Sequence, residues 1–369
     1  MPTHRRPSAL APSAPSAPSA SSAPSAPSAS SVLALGAALL VAAALGGCAP
    51  SAGKAAPAGA VTAPLPTAVP AGVTLRIADQ NDLLKTTLAA AGQDKDLPYQ
   101  VSWSSFQGGP AVLEAFRAGA ADVGFVSDAP VVFAQAHGQD ARVVGVVQNS
   151  PDAVHLWTSP GSAARTVADL KGKKIAYTEG TTFQPAVLTA LKNAGLKPSD
   201  VTLVKLNPPE IPAALAAGQV DAGTLTEPLV SKYGTGYQDK GAHELADDKA
   251  LTSGLQLLIA PGAVVADGAR SAALADLAAR FTRAELWITA HKDAWVQSYY
   301  VDSQKLPAEV GRAVVANNGT ATIPDYTTAA ARLQRITDVL AESGAIGALD
   351  VSAAFDRRFD AVQAAAAKG

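Results

Sequence analysis

Three short polar turns carry the residues of this chain best suited to chemistry: Gln107-Gly108-Gly109, Ser127-Asp128-Ala129 and Thr181-Thr182-Phe183. Each follows an apolar run and precedes a helical pattern, so each opens a helix. The first amides of a helix lack an intrahelical acceptor and carry a partial positive charge. They hold a sulfonate, phosphate or carboxylate without a basic side chain. Gly108 and Gly109 let the backbone approach a ligand closely, while Ser127, Thr181 and Thr182 add hydroxyls. Gln80, Asn81 and Glu227 fall in equivalent turns and complete the candidate binding set. Ser, Thr and Asp are also the preferred helix N-caps, so a capping role for each side chain stays open beside the binding role.

The same turns carry four acids, Asp79, Asp128, Glu179 and Glu227, and no Arg or Lys. A bare anion suits that crowd poorly. A zwitterion, with an ammonium at one end and an acid at the other, suits it better. The five histidines (His4, His137, His155, His243, His291) lack metal-ligand spacing, so neither a metal nor a cofactor is expected. His155 falls near a crossover between lobes and reads as a core or surface residue. No G-x-S-x-G nucleophile elbow occurs, and no catalytic residue is assigned.

These turns are positioned by a pattern that occurs twice. Gly119, Asp122 and Gly124 recur as Gly218, Asp221 and Gly223 at one fixed offset, and Ser127-Asp128 recurs as Thr226-Glu227. Each copy reads as a helix stopped at Gly, a short apolar strand and a polar turn. The Gly and Asp positions read as structural. Strands alternate with helices from residue 73, with strands expected over 73–78, 99–103, 123–126 and 142–147, and again over 174–177 and 201–206. Helix stops at Gly92 and Gly195 pair at nearly the same offset. This predicts an α/β fold of two similar lobes, each a mainly parallel sheet flanked by helices, with the polar turns at the carboxyl ends of strands. Residues 233–248 read as loop and edge, 255–259 as a strand, and the rest as helices over 271–291, 293–300, 307–316, 326–342 and 351–367 that return to the first lobe. Trp287 and Trp295 sit in helical pattern and read as packing residues.

The chain has 369 residues, 48% hydrophobic and 16% charged, enough for two domains with a core. A net charge of −2 leaves no electrostatic footprint for nucleic acid. Residues 1–31 repeat Pro-Ser-Ala and predict a disordered leader. The apolar stretch over 32–45 is shorter than the ~20 residues of a bilayer span and reads as a signal segment. It ends Leu45-Gly46-Gly47-Cys48, and Cys48 is the only cysteine. That ending resembles a bacterial lipoprotein signal, which implies lipidation at Cys48 and an anchor on the extracytoplasmic face of the cell membrane. Arg5-Arg6 leaves a twin-arginine export signal open. Residues 49–72, rich in Ala, Pro and Gly, read as a tether.

Trp103 to Pro110, with Phe106-Gln107-Gly108-Gly109, is followed by Leu113 to Gly124 and by Ser127-Asp128-Ala129-Pro130-Val131-Val132-Phe133-Ala134-Gln135-Ala136-His137-Gly138. Together they resemble the substrate-binding proteins of ABC importers for aliphatic sulfonates, taurine and nitrate, most nearly the sulfonate branch. Val167-Ala168-Asp169-Leu170-Lys171-Gly172-Lys173-Lys174 resembles that family's entry into its second lobe. The resemblance implies a type II periplasmic-binding-protein fold with lobe 1 over 73–148 and 255–369, lobe 2 over 157–248, and hinge crossovers over 149–156 and 249–254. It implies a monomeric receptor, not an enzyme, that closes on a small organic acid and delivers it to a permease and its ATPase. An aliphatic sulfonate or taurine-like zwitterion is the expected ligand. Nitrate, a pyrimidine or flavin vitamin precursor, and an enzyme on the same fold are the alternatives. Where sulfonate-binding relatives often carry Trp-Asp-Pro, this chain has Thr226-Glu227-Pro228.

Overall fold

In the computed structural model, which describes residues 63–245 and 249–369, strand and helix alternate in two successive rounds. Cys48, the expected leader and signal segment, and most of the expected tether lie outside the described residues. The first round is β1 (Thr74–Gln80), α1 (Leu83–Ala90), β2 (Gln100–Phe106), α2 (Gly109–Arg117), β3 (Val123–Ser127), α3 (Asp128–Ala136) and β4 (Ala141–Gln148). The second is β5 (His155–Thr158), β6 (Lys174–Tyr177), α4 (Phe183–Asn193), β7 (Thr202–Lys205), α5 (Ile211–Ala216), β8 (Ala222–Leu225) and α6 (Leu229–Tyr237). The tail adds β9 (Leu255–Pro261), α7 (Gly262–Ala266), α8 (Gly268–Ala290), α9 (Lys292–Trp295), a π-helical stretch (Val296–Ser303), α10 (Ala308–Asn318), α11 (Tyr326–Glu342) and α12 (Arg358–Ala366).

Two sheets result, ordered β2-β1-β3-β9-β4 and β5-β8-β6-β7. β1 pairs parallel with β2 and β3, and β6 pairs parallel with β7 and β8. Only β9 and β5 run antiparallel to their neighbours. The mainly parallel α/β fold expected from the sequence is therefore present. β9 arrives from the second round and inserts between β3 and β4, which ties the two rounds together.

The repeated motif does the same structural work in both copies. Gly119 and Gly218 take positive φ of 62° and 64°, and they end α2 and α5 by donating to Phe116 O and Leu215 O. An L side chain is strained in that conformation. Asp122 and Asp221 then accept from the backbone N–H of Arg76 and Lys174 at 2.9 and 2.8 Å, fastening β3 to β1 and β8 to β6. Gly124 and Gly223 lie under their helices. A Cβ on Gly124 would stand 2.4 Å from Val112 Cγ1, and one on Gly223 would stand 2.7 Å from Ile211 Cγ2. Each glycine thus sets how near the helix lies to its sheet, and with it where the following turn points.

The tail and some short elements depart from expectation. His155–Thr158 forms a strand where a crossover was expected to continue to residue 156. All four residues are buried, so no polar alternation betrays the strand. Residues 233–237, expected as loop, complete α6 despite Gly234 and Gly236. Tertiary packing overrides their low propensity: Tyr233 is 2% exposed and meets Trp157 edge-on at 5.8 Å, and Gly234 backs onto the same indole. The expected last helix breaks into a 3-10 turn (Val351–Ala354) and α12. Among the described residues no helix is long and apolar enough to cross a membrane.

Gly124→Ala and Gly223→Ala should each destabilise the protein by about 1–3 kcal/mol, the usual range for overpacking a core. Thermal melts of the two variants measure this. A loss at one position and none at the other would show that the copies do not pack alike.

Candidate functional site

Six strand ends converge on one cavity of about 1340 Å³. β1, β2 and β3 of the first sheet bring Gln80-Asn81, Gln107-Gly108-Gly109 and Ser127-Asp128. β6, β7 and β8 of the second bring Thr178-Glu179 and Thr181-Thr182, Asn207 to Glu210, and Thr226-Glu227. Of the twelve candidate binding residues read from the sequence, all line this cavity except Ala129. Ala129 is fully buried, and its N–H is taken by Asp128 Oδ1 at 2.7 Å.

The turns differ in what they leave for a ligand. Gly108, at φ 83°, precedes α2 and has no side chain to cap it, and Pro110 follows in the first turn. The helix start is therefore open at Gly109 and Ala111. A Cβ on Gly109 would stand 2.2 Å from Pro130 Cγ, so any larger residue there forces α2 and α3 apart. At α4, Thr182 makes no side-chain cap, while Thr181 Oγ1 accepts from Phe183 N at 3.2 Å and donates to Thr178 O at 2.9 Å. At α3 the site is already filled. Asp128, 1% exposed, accepts from Ser253 N at 3.0 Å, Ser253 Oγ at 2.6 Å and Thr182 Oγ1 at 2.7 Å. Thr182 Oγ1 also lies 2.8 Å from Ser127 Oγ. These hydroxyls hold the two sides of the cleft to one another. Asn81 Oδ1 accepts from Gln107 Nε2 at 2.9 Å, and Gln80 Nε2 donates to Phe125 O at 2.8 Å.

The expected acidic rim is mostly occupied by structural bonds. Asp79 is fully buried away from the cavity and caps α1, accepting from Gln80, Leu84 and Lys85 N–H groups at 2.7–2.9 Å. Burial pushes its carboxyl upward, and those amides pull it back. Glu179 pairs with Lys205 at 2.5 Å, and Glu227 accepts from Ser231 N and Oγ in the first turn of α6. His155 is buried beside Glu244 at 3.2 Å and lies outside the cavity. The hydrogen bond from His155 holds the Glu244 carboxyl down, to about 2. The cleft does contain a basic side chain, contrary to expectation: exposed Lys292 at the start of α9.

The tail supplies a wall that sequence reasoning missed. Glu285, Ile288 and Thr289 share one face of α8, Lys292 opens α9, and all four line the cavity. Trp295 and Tyr299, stacked at 4.9 Å, and Tyr300, edge-on to Tyr299 at 5.0 Å, line it too. Burial raises both tyrosine hydroxyls. Glu285 is 8% exposed, and burial alone pushes its carboxyl up to about 7. Glu285 shares its face of α8 with Thr282 and Thr289, so nothing local in the sequence marks this wall. Among the described residues no cluster of His, Cys, Asp or Glu is arranged to hold a metal ion.

With this geometry in place, the comparisons with known proteins bear on it directly. The NMT1/THI5 like family profile matches residues 106–235, which include the turns before α2, α3 and α4. The periplasmic aliphatic sulphonate binding protein SsuA from Escherichia coli superposes with a TM-score of 0.64 at 30% identity, covering 78% of this chain and 91% of that one. The chain belongs to the aliphatic sulfonate-binding family of periplasmic binding proteins. Another member, the alkanesulfonate-binding protein SsuA from Xanthomonas axonopodis pv. citri bound to MOPS, gives a TM-score of 0.65 at 28% identity over 78% of this chain and 99% of that one. In sequence, an aliphatic sulfonates-binding protein of Escherichia coli is 38% identical over 160 residues, 42% of this chain. The chain spans about half the length of the curated relatives it matches. The family fold accounts for the two sheets and the cleft between them.

The raised Glu285 carboxyl sets a pH dependence. Its ordinary value is 4.5, so the folded protein holds this proton more tightly than the unfolded chain. That stabilisation is complete below the ordinary value and is lost as pH rises through about 7. Glu285→Gln should therefore melt with the parent near ~pH 4 and several degrees above it near ~pH 8.5. An equal difference in Tm at both pH values would contradict the assignment.

Proposed function

We propose that the protein is the extracytoplasmic receptor of an ABC importer and captures a small organic acid, an aliphatic sulfonate or taurine-like zwitterion, between two lobes. The observation that carries this reading is the convergence of open helix starts from both sheets on one cavity: α2 at Gly108-Gly109 and α4 at Thr181-Thr182. Each helix start contributes about 0.3–1 kcal/mol to an anion, rising toward ~2 when partly buried. Two starts acting on one sulfonate give useful affinity with no arginine. The names of the relatives, which bind aliphatic sulfonates, favour that acid group over nitrate or a carboxylate.

On this reading lobe 1 comprises 73–148 with 255–369, and lobe 2 comprises 157–248. The crossovers over 149–156 and 249–254 are the hinge. They run side by side, with Asn149 N donating to Gly254 O at 2.9 Å and Thr252 Oγ1 to Pro151 O at 2.9 Å. Closure brings Thr182 to Asp128. Cys48 carries the lipid that holds a monomeric receptor at the membrane beside its permease and ATPase. Gln80, Asn81, Gln107, Ser127, Phe183 and Glu227 surround the ligand, and Gly108, Gly109, Thr181 and Thr182 offer it backbone amides.

Thermal shift against alkanesulfonates, taurine, nitrate and pyrimidine or flavin vitamins tests the ligand class. A sulfonate should raise Tm in proportion to the logarithm of its concentration above Kd. No shift with any sulfonate, beside a clear shift with another class, would overturn the sulfonate assignment. For the anchor, Cys48→Ala expressed in the native host should move the protein from the membrane fraction to the medium. Unchanged membrane association would rule Cys48 out as the lipid site.

A further inference from the structure

The cleft is larger than a small alkanesulfonate requires. Its volume of about 1340 Å³ exceeds the ~300–1,000 Å³ typical of small-molecule pockets. The additional wall comes from α8, the π-helical stretch and α10. Inside that wall Glu285 is the anomaly. It is 8% exposed, it lines the cavity, and no described residue donates a hydrogen bond to it. Buried carboxylates ordinarily have a hydrogen-bonding or ionic partner. Asp128 and Asp79, more deeply buried, each accept several hydrogen bonds.

The surroundings of Glu285 suit a cation. Trp295, Tyr299 and Tyr300 form a contiguous aromatic cluster against the same cavity. Aromatic faces attract a desolvated ammonium. The stretch from Val296 to Ser303 is π-helical, a geometry common at functional sites. Tyr300 lies close enough to both Glu285 and Glu227 that their charges raise its hydroxyl further above its ordinary value. Lys292, at the start of α9, lines the same cavity in an exposed position.

We propose that Glu285 is the cation-recognising residue of the cleft and takes the protonated nitrogen of an amine-bearing organosulfonate whose acid group sits at the starts of α2 and α4. This rests on the sulfonate reading above and narrows it to zwitterionic sulfonates with a bulky, amine-centred body. An ammonium beside Glu285 restores the partner that the fold withholds. It also favours the charged form of a carboxyl that burial pushes up to about 7. An alkanesulfonate of equal size with an uncharged tail gains neither effect. Discrimination therefore follows from one carboxylate and the rings that line the same cavity, and the amides that hold the acid group are unaffected.

Calorimetric titration of the full chain with a matched pair tests this. The probes are 3-(piperidin-1-yl)propane-1-sulfonate, which carries a protonated nitrogen, and 3-cyclohexylpropane-1-sulfonate, which has carbon in its place. The native protein should bind the amine about tenfold or more tightly than its carbon analogue. Glu285→Gln, which keeps the shape, should lose that preference while binding the cyclohexyl ligand within about threefold of the native protein. A native protein that prefers the cyclohexyl ligand or does not discriminate would overturn the inference and leave the sulfonate reading intact. Equal weakening of both ligands in Glu285→Gln would do the same. Failure of the native protein to bind either ligand, with binding of a carboxylate or nitrate in their place, would overturn the sulfonate reading and this inference with it.

Discussion

The buried carboxylate of Asp128 is the joint on which the cleft depends. It begins α3 at the end of β3, in the first sheet. Its two oxygens are bonded to Ala129 on its own helix, to Ser253 in the segment leading into β9, and to Thr182 at the start of α4. One charged group thus ties together both sheets and a crossing of the chain. A buried carboxylate left short of donors is costly, commonly by a few kcal/mol. The arrangement that satisfies Asp128 is consequently the one in which the two sides of the cleft meet, and on the proposed hinge reading opening the lobes gives up the Thr182 bond.

The second constraint is repetition. Gly124 under α2 and Gly223 under α5 fix helix height over each sheet, and Asp122 and Asp221 fix the neighbouring strands. Because the same local device operates in both lobes, the strand ends come out at corresponding places and present their turns to a common space. The chemistry then differs only in what occupies those turns. In the first copy Ser127-Asp128 is absorbed into the joint. In the second, Thr226-Glu227 stays at the cavity, with Glu227 bonded to Ser231.

Much of this was legible before any coordinates. The internal repeat, the helix-stopping glycines and the polar turns are local signals, each with a local physical cause, and they located both sheets and the strand-end half of the cleft. What they could not report is which side chains were already engaged. Asp79 and Thr181 look like ligand groups in sequence, yet they bond to backbone atoms nearby, which is the competing use of the same residue types. The strand His155–Thr158 was hidden because burial on both faces leaves no alternation. The aromatic wall and Glu285 were hidden for another reason. Their role depends on the tail folding back across the first sheet, a long-range contact that carries no periodic mark.

The account stands or falls on where the acid group of the ligand sits. Backbone ¹⁵N–¹H spectra recorded while titrating the protein with a simple alkanesulfonate measure this residue by residue. Saturable shifts centred on the amides of Gly108, Gly109, Thr181 and Thr182 are the predicted result. Saturable binding that leaves these four amides unmoved would contradict it.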